Sequence, residues 1–165
     1  ALGITLTQEL KGAIQAAYAN GTITDAEMDS VVNGFVNKVV LPTYKDLKEK
    51  NTALCAAVRD FYNNPSDATF ETACDAWLVA RTPWEQSEAF LFGPVDILGL
   101  DPNMDSWPLD QVAIVNILNS GNFDDLNWED GDTEDEISSS QEVRGFHTLE
   151  FLLFKDGNPR TVSAQ

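Results

Sequence analysis

The stretch Thr24-Asp25-Ala26-Glu27-Met28-Asp29-Ser30-Val31-Val32-Asn33-Gly34-Phe35-Val36-Asn37-Lys38-Val39 decides the fold class. Thr24 and Glu27 form a capping box, in which each side chain satisfies a free backbone donor of the other at a helix start. Behind it Met28, Val31, Val32, Phe35, Val36 and Val39 recur at three- and four-residue spacing, which predicts a helix with one buried face. The same period extends on both sides. A helix over residues 5–19 ends at Asn20-Gly21. Pro42 interrupts the quoted helix, because it lacks a backbone donor and crowds the preceding turn. The pattern resumes through Tyr44, Leu47, Leu54, Val58 and Phe61.

After the turn at Pro65, Phe70, Cys74, Trp77 and Leu78 mark another helix. Thr82-Pro83-Trp84-Glu85 reads as a fresh start, with a threonine cap, proline at the first position and glutamate at the third. That helix runs to Phe92 and stops at Gly93-Pro94. An irregular segment, Asp96 to Pro108, precedes a helix over about Leu109–Asn119 that Gly121 closes. Ser139-Ser140-Gln141-Glu142 opens a last helix to Phe154, and Asp156-Gly157-Asn158-Pro159 ends it. No stretch alternates as a strand between hairpin turns. Five or six helices joined by mostly short loops predict an all-α, antiparallel helical bundle. The closing residues 158–165 read as a loop at which a longer chain was cut.

The 165 residues, 43% hydrophobic and 22% charged, suit one domain with a real core. The net charge is −17, from 27 acids and 10 bases, which argues against nucleic acid and anionic membrane surfaces as partners. Eight acids and no base lie between Asp124 and Glu136. They read as a solvated loop or a weak cation site. An EF-hand is excluded, since setting Gly131 at the sixth loop position puts Leu126 where the first aspartate belongs. No run approaches the roughly 18 apolar residues of a membrane span. The chain opens at Ala1 with no signal segment, as removal of a leader or a boundary within a longer protein would give. Cys55 and Cys74 flank the Pro65 turn almost symmetrically. A disulfide, suited to an oxidising compartment, and two separate thiols are both open.

Chemistry concentrates in Gly145-Phe146-His147-Thr148-Leu149-Glu150. His147, the only histidine, shares a helix face with Glu150 three residues on. Apolar residues surround the pair in every direction, so the expectation is a buried His–Glu pair. A buried carboxylate needs a partner, a proton or a cation. Gly145 leaves room for a backbone or ligand to approach. Glu85 and Glu88 form a second pair at the same spacing on a helix rich in large apolar groups. Two such pairs follow the logic of carboxylate–histidine metal sites in bundles. A set of one imidazole and three carboxylates suits iron, zinc, manganese or calcium. Glu85 also reads as a capping-box residue, and Asp96, Asp101 and Asp105 as further ligands or as caps of turns. Trp77, Trp84, Phe90, Phe92 and Trp107 read as core.

Tyr44 with Leu47, Trp77, Trp84-Glu85-Gln86-x-Glu88-Ala89-Phe90-x-Phe92-Gly93-Pro94-Val95-Asp96, Asp105-Ser106-Trp107-Pro108-Leu109-Asp110 and Arg144-Gly145-Phe146-His147-x-x-Glu150-x-Leu152-Leu153-Phe154 together resemble the imelysin family. The resemblance runs from about residue 35 to 155. It implies an α-helical fold of two bundle-like halves, of which this chain is the N-terminal one. It also implies a periplasmic, secreted or lipid-anchored setting, a link to iron uptake or metal binding, and a classification among metallopeptidases. Its motif places the metal ligands at His147 and Glu150 with Glu85 and Glu88, and Gly145 and Trp84 as supports. The implied partners are the second helical half, in the same protein or as a separate chain, and metal-uptake proteins. A zincin would carry His-Glu-x-x-His, which is missing here, so bound iron or zinc without hydrolysis is the leading expectation. A metallopeptidase and a helical interaction module with a structural His–Glu pair are the alternatives.

Overall fold

A computed structural model describes residues 2–127 and 140–162. Most of the acidic loop and Ser139 of the expected last cap lie outside the described residues. The fold is an all-α helical bundle with one minimal β-pair. The elements are α1 (Leu2–Ala19), α2 (Asp25–Phe35), a π-helical turn (Val36–Val40), α3 (Leu41–Asn63) and α4 (Asp67–Ser87). A 3-10 turn (Glu88–Phe90), α5 (Pro94–Ile97), α6 (Leu100–Asp105) and α7 (Gln111–Ser120) follow. Two further 3-10 turns (Asp124–Leu126 and Gln141–Val143), α8 (Phe146–Leu153), β1 (Phe154–Lys155) and β2 (Asn158–Pro159) complete them. The chain forms two compact units, residues 1–52 with 80–90, and residues 53–79 with 91–165.

In the first unit the capping box forms as read. Thr24 N donates to Glu27 Oε2 at 2.8 Å, and Glu27 N donates to Thr24 Oγ1 at 3.3 Å. Pro42 changes the pitch rather than ending the helix. Leu41 N donates to Val36 O, five residues back, and the widened turn passes the proline into α3. Pro83 is a correction to the expected fresh start, because α4 runs through it without a break. Pro83, Trp84 and Ser87 are fully buried, and burial of this face outweighs the missing backbone bond. Phe90 packs edge-on against Tyr44 and Phe35, with ring centroids 5.6 and 5.9 Å away.

The apolar face of α2 departs from expectation. Val31 and Val32 are each 52% exposed, and Phe35, Val36 and Val39 are exposed as well. The periodicity located the stripe, but among the described residues its recorded ring contact is Phe90 against Phe35, and Val31 and Val32 stay open.

The second unit is built on Phe70, Cys74, Trp77, Ile114, Phe146 and Leu153, all buried. Trp77 Nε1 donates to Phe146 O at 3.1 Å and anchors α8 on α4. Cys74 is buried and Cys55 exposed, and both are free thiols, which decides the open disulfide question. Burial also raises the Cys74 pKa. Two short helices, α5 and α6, replace the irregular segment expected over 96–108. The last helix is shorter than expected and begins only at Phe146. Gly145 precedes it at φ 94°, ψ −166°, a conformation that breaks any helix arriving from Ser140. Asp156 and Gly157, both at positive φ, then make the tight turn between β1 and β2.

Candidate functional site

The site is assembled in the second unit from the end of α6, the loop after it, and α8. Gly145 governs how they meet. A methyl group there would overlap the Met104 carbonyl, and the φ of 94° is one that L side chains rarely adopt. Only glycine therefore lets the Met104–Asp105 backbone lie against the start of α8. Arg144 braces the same junction from the other side. Its guanidinium donates to the Asn103 side chain and, at 3.2 Å, to Leu126 O. Burial pulls the Arg144 pKa below its ordinary value.

This docking places Asp105 beside His147. His147 Nδ1 lies 2.7 Å from Asp105 Oδ1, with the aspartate side chain 5% exposed and the imidazole 21%. The two atoms lack the alignment of a hydrogen bond, which leaves the buried Nδ1 without one. Trp107 leans on the imidazole, with ring centroids 5.1 Å apart at 50°. Asp101, one turn earlier on α6, has its pKa raised, first by burial and then by the charge of Asp105.

His147 and Glu150 face a cleft of about 730 Å³ in this unit. Its walls are Trp77, Leu78, Trp107, Leu109, Phe151 and Phe154, and Gln111, Asp156, Gly157 and Pro159 complete the lining. The expected enclosed His–Glu pair is thus corrected. Glu150 is exposed, and His147 is buried only on its Nδ1 side. The helix around them is apolar because Phe146 and Leu153 face the core, leaving His147 and Glu150 for the cleft wall.

The other sequence candidates are placed as follows. Glu85 and Glu88 belong to the first unit, and both are exposed. Glu85 makes no capping box, since no helix starts at Thr82. It pairs with Arg81 one turn earlier on α4 at 2.5 Å. Trp84 is buried in the first unit, and Asp96 is exposed in the first turn of α5. Trp107 and Phe92, read as core, are exposed, Trp107 by 70%. Trp107 and Asp105 are the residues that sequence reasoning underrated. The spacing Asp105-Ser106-Trp107 carried the signal, but only the close approach at Gly145 brings it to His147.

The imelysin family model matches residues 40–164. Iron-regulated protein A of Synechococcus elongatus is 34% identical over 155 residues, which is 93% of this chain and 37% of that protein. The solved imelysin peptidase of Bacteroides ovatus is 61% identical, with a TM-score of 0.84 over 93% of this chain and 44% of that one. An iron-regulated protein A precursor from Parabacteroides distasonis is 47% identical, with a TM-score of 0.77 over 87% of this chain and 38% of that one. The chain thus spans less than half the length of each of these relatives. With the family match covering most of its residues, the helical fold shared with the solved relatives, and the Gly145–Glu150 motif in place, the chain belongs to the imelysin family.

Proposed function

We propose that this chain is the metal-binding part of an iron-associated protein that works outside the cytoplasm as an accessory to metal uptake. The observation that carries the reading is the approach of Asp105 Oδ1 to within 2.7 Å of His147 Nδ1, with no hydrogen bond aligned between them. Two electron-pair donors held that close suit a shared cation, and Glu150 lies with His147 on the cleft lining. A set of one imidazole and carboxylates, with no thiolate, fits iron or zinc. Asp105 and His147 would hold the ion, with Glu150 the further candidate from the cleft that His147 faces. Once bound, it would act as a Lewis acid toward whatever else enters the cleft. The names of the Synechococcus and Parabacteroides relatives support the iron association, and the word precursor in the latter supports export. In this reading the partners are the second helical half of the protein and metal-uptake proteins.

The test is metal analysis of protein purified without chelator, followed by titration with ferrous, ferric and zinc ions. His147→Ala/Glu150→Ala and Asp105→Asn are expected to lose at least about tenfold in affinity. Unchanged affinity in both would mean that His147 and Glu150 are structural. Glu85 and Glu88 stay candidate ligands on sequence grounds, and Glu85→Gln/Glu88→Gln in the same titration decides them. A second reading, metallopeptidase, is favoured by the name of the Bacteroides ovatus relative and by the cleft of about 730 Å³ at His147. It requires chelator-sensitive cleavage of a protein substrate that His147→Ala abolishes.

A further inference from the structure

The cleft is far larger than a metal ion needs, and its volume lies in the range of small-molecule sites. Its composition is lopsided. Trp77, Trp107, Phe151 and Phe154 supply aromatic surface, while Glu150 and Asp156 are carboxylates on the same lining. No lysine or arginine lines it. Among the described residues neither carboxylate is paired with a base. Arg160 sits over the Phe151 ring at 6.0 Å and donates to the Phe151 carbonyl at 3.0 Å. The chain itself therefore lays a guanidinium on one of these rings, and among the described residues no such contact is found on Trp77, Trp107 or Phe154. Trp107 is 70% exposed, which leaves its indole available to a ligand.

We propose that the cleft binds an organic cation, an alkylguanidinium or alkylammonium group, with its charge toward Glu150 and Asp156 and its carbon stem against Trp77, Trp107 and Phe154. The indole and phenyl faces attract such a cation through their quadrupoles and cover its methylene groups at the same time. The two carboxylates supply the opposite charge, and the net charge of −17 draws cations to the surface in general. A neutral or anionic ligand of the same shape gains the apolar contact alone. This ligand is distinct from the proposed metal, shares only Glu150 with it, and does not require it.

The test is calorimetric titration of metal-free protein at low salt with N-acetyl-arginine amide, its neutral isostere N-acetyl-citrulline amide, and a capped Ala-Arg-Ala tripeptide. The arginine amide is expected to bind about tenfold more tightly than the citrulline amide. Asp156→Asn and Trp107→Ala should each weaken it about fivefold, and Trp107→Phe should restore most of the loss. Both positions are exposed, so melting curves should match the parent protein. Tighter binding of the tripeptide than of the amino-acid amide would assign the cation to a peptide, and equal binding to a free small molecule. Equal affinity for arginine and citrulline amides, or no effect of either substitution, overturns the proposal. Among the described residues Asp156 has no contact with Asp105 or His147, so the metal titration of Asp156→Asn should be unchanged and the two readings fail separately.

Discussion

At the scale of single residues, the site depends on Gly145 more than on any charged group. A side chain there meets two obstacles at once, the Met104 carbonyl and a backbone angle that disfavours any Cβ. Gly145→Ala is expected to lower stability by about 1–3 kcal/mol or more, measured by urea unfolding, because the chain must either strain the backbone or move α6 away. In the second case Asp105 leaves His147. The same variant should then shift the His147 ring resonances in an NMR spectrum, whereas Gly121→Ala, where a Cβ meets nothing, should not. Unaltered His147 resonances together with wild-type stability would refute the role given to Gly145. The motif glycine was legible as a place of close approach, but what approaches it was not. Asp105 lies 42 positions from His147 in the chain, and no local period links them.

At the scale of elements, α2 holds two lessons. Its start is stabilised by the Thr24–Glu27 box, whose hydrogen bonds lower the Glu27 pKa, first through the Thr24 backbone and then through its hydroxyl. A carboxylate with a depressed pKa stabilises the fold above its ordinary titration range, and that contribution is lost as pH falls through the lowered value. Glu27→Gln should therefore reduce the melting temperature at pH 7, and the difference should shrink as pH falls through the lowered value. A difference that persists undiminished at low pH would rule out this origin. The far side of α2 carries an apolar stripe that Phe90 meets only at Phe35, while Val31 and Val32 are each 52% exposed. Val31→Thr and Val32→Thr should accordingly change the stability of this chain by less than about 0.5 kcal/mol, whereas Trp84→Ala should cost about 3–5 kcal/mol. Urea titration separates these outcomes, and a large loss at Val31 would show that the stripe is buried in solution. Periodicity reports which residues can be buried together and is silent on what covers them. The same limit explains Pro83, whose local signal is a helix start and whose burial carries the helix through.

At the scale of the whole molecule, charge and length dominate. A net charge of −17 on 165 residues repels itself, and salt relieves that repulsion as the Debye length falls from roughly 30 Å at 0.01 M to roughly 8 Å at 0.15 M. The melting temperature should rise over that interval, and a flat or falling curve in calorimetry would count against self-repulsion as a cost of folding. Iron or zinc at about 100 times its Kd should add about 2.7 kcal/mol to the unfolding free energy, if it binds only the folded chain. The sequence by itself determined the helical class, the capping box of α2, the Gly121 cap and the Gly145–Glu150 motif that marks the family. Each of these rests on interactions between residues within about four positions, which local spacing records directly. Only the tertiary structure decided that Cys55 and Cys74 stay apart, that Trp107 lies open beside His147, and that Asp105 is its neighbour. Those facts depend on where distant segments dock, and docking is set by the fit of Gly145 against Met104 and of Trp77 against Phe146, which no periodicity encodes.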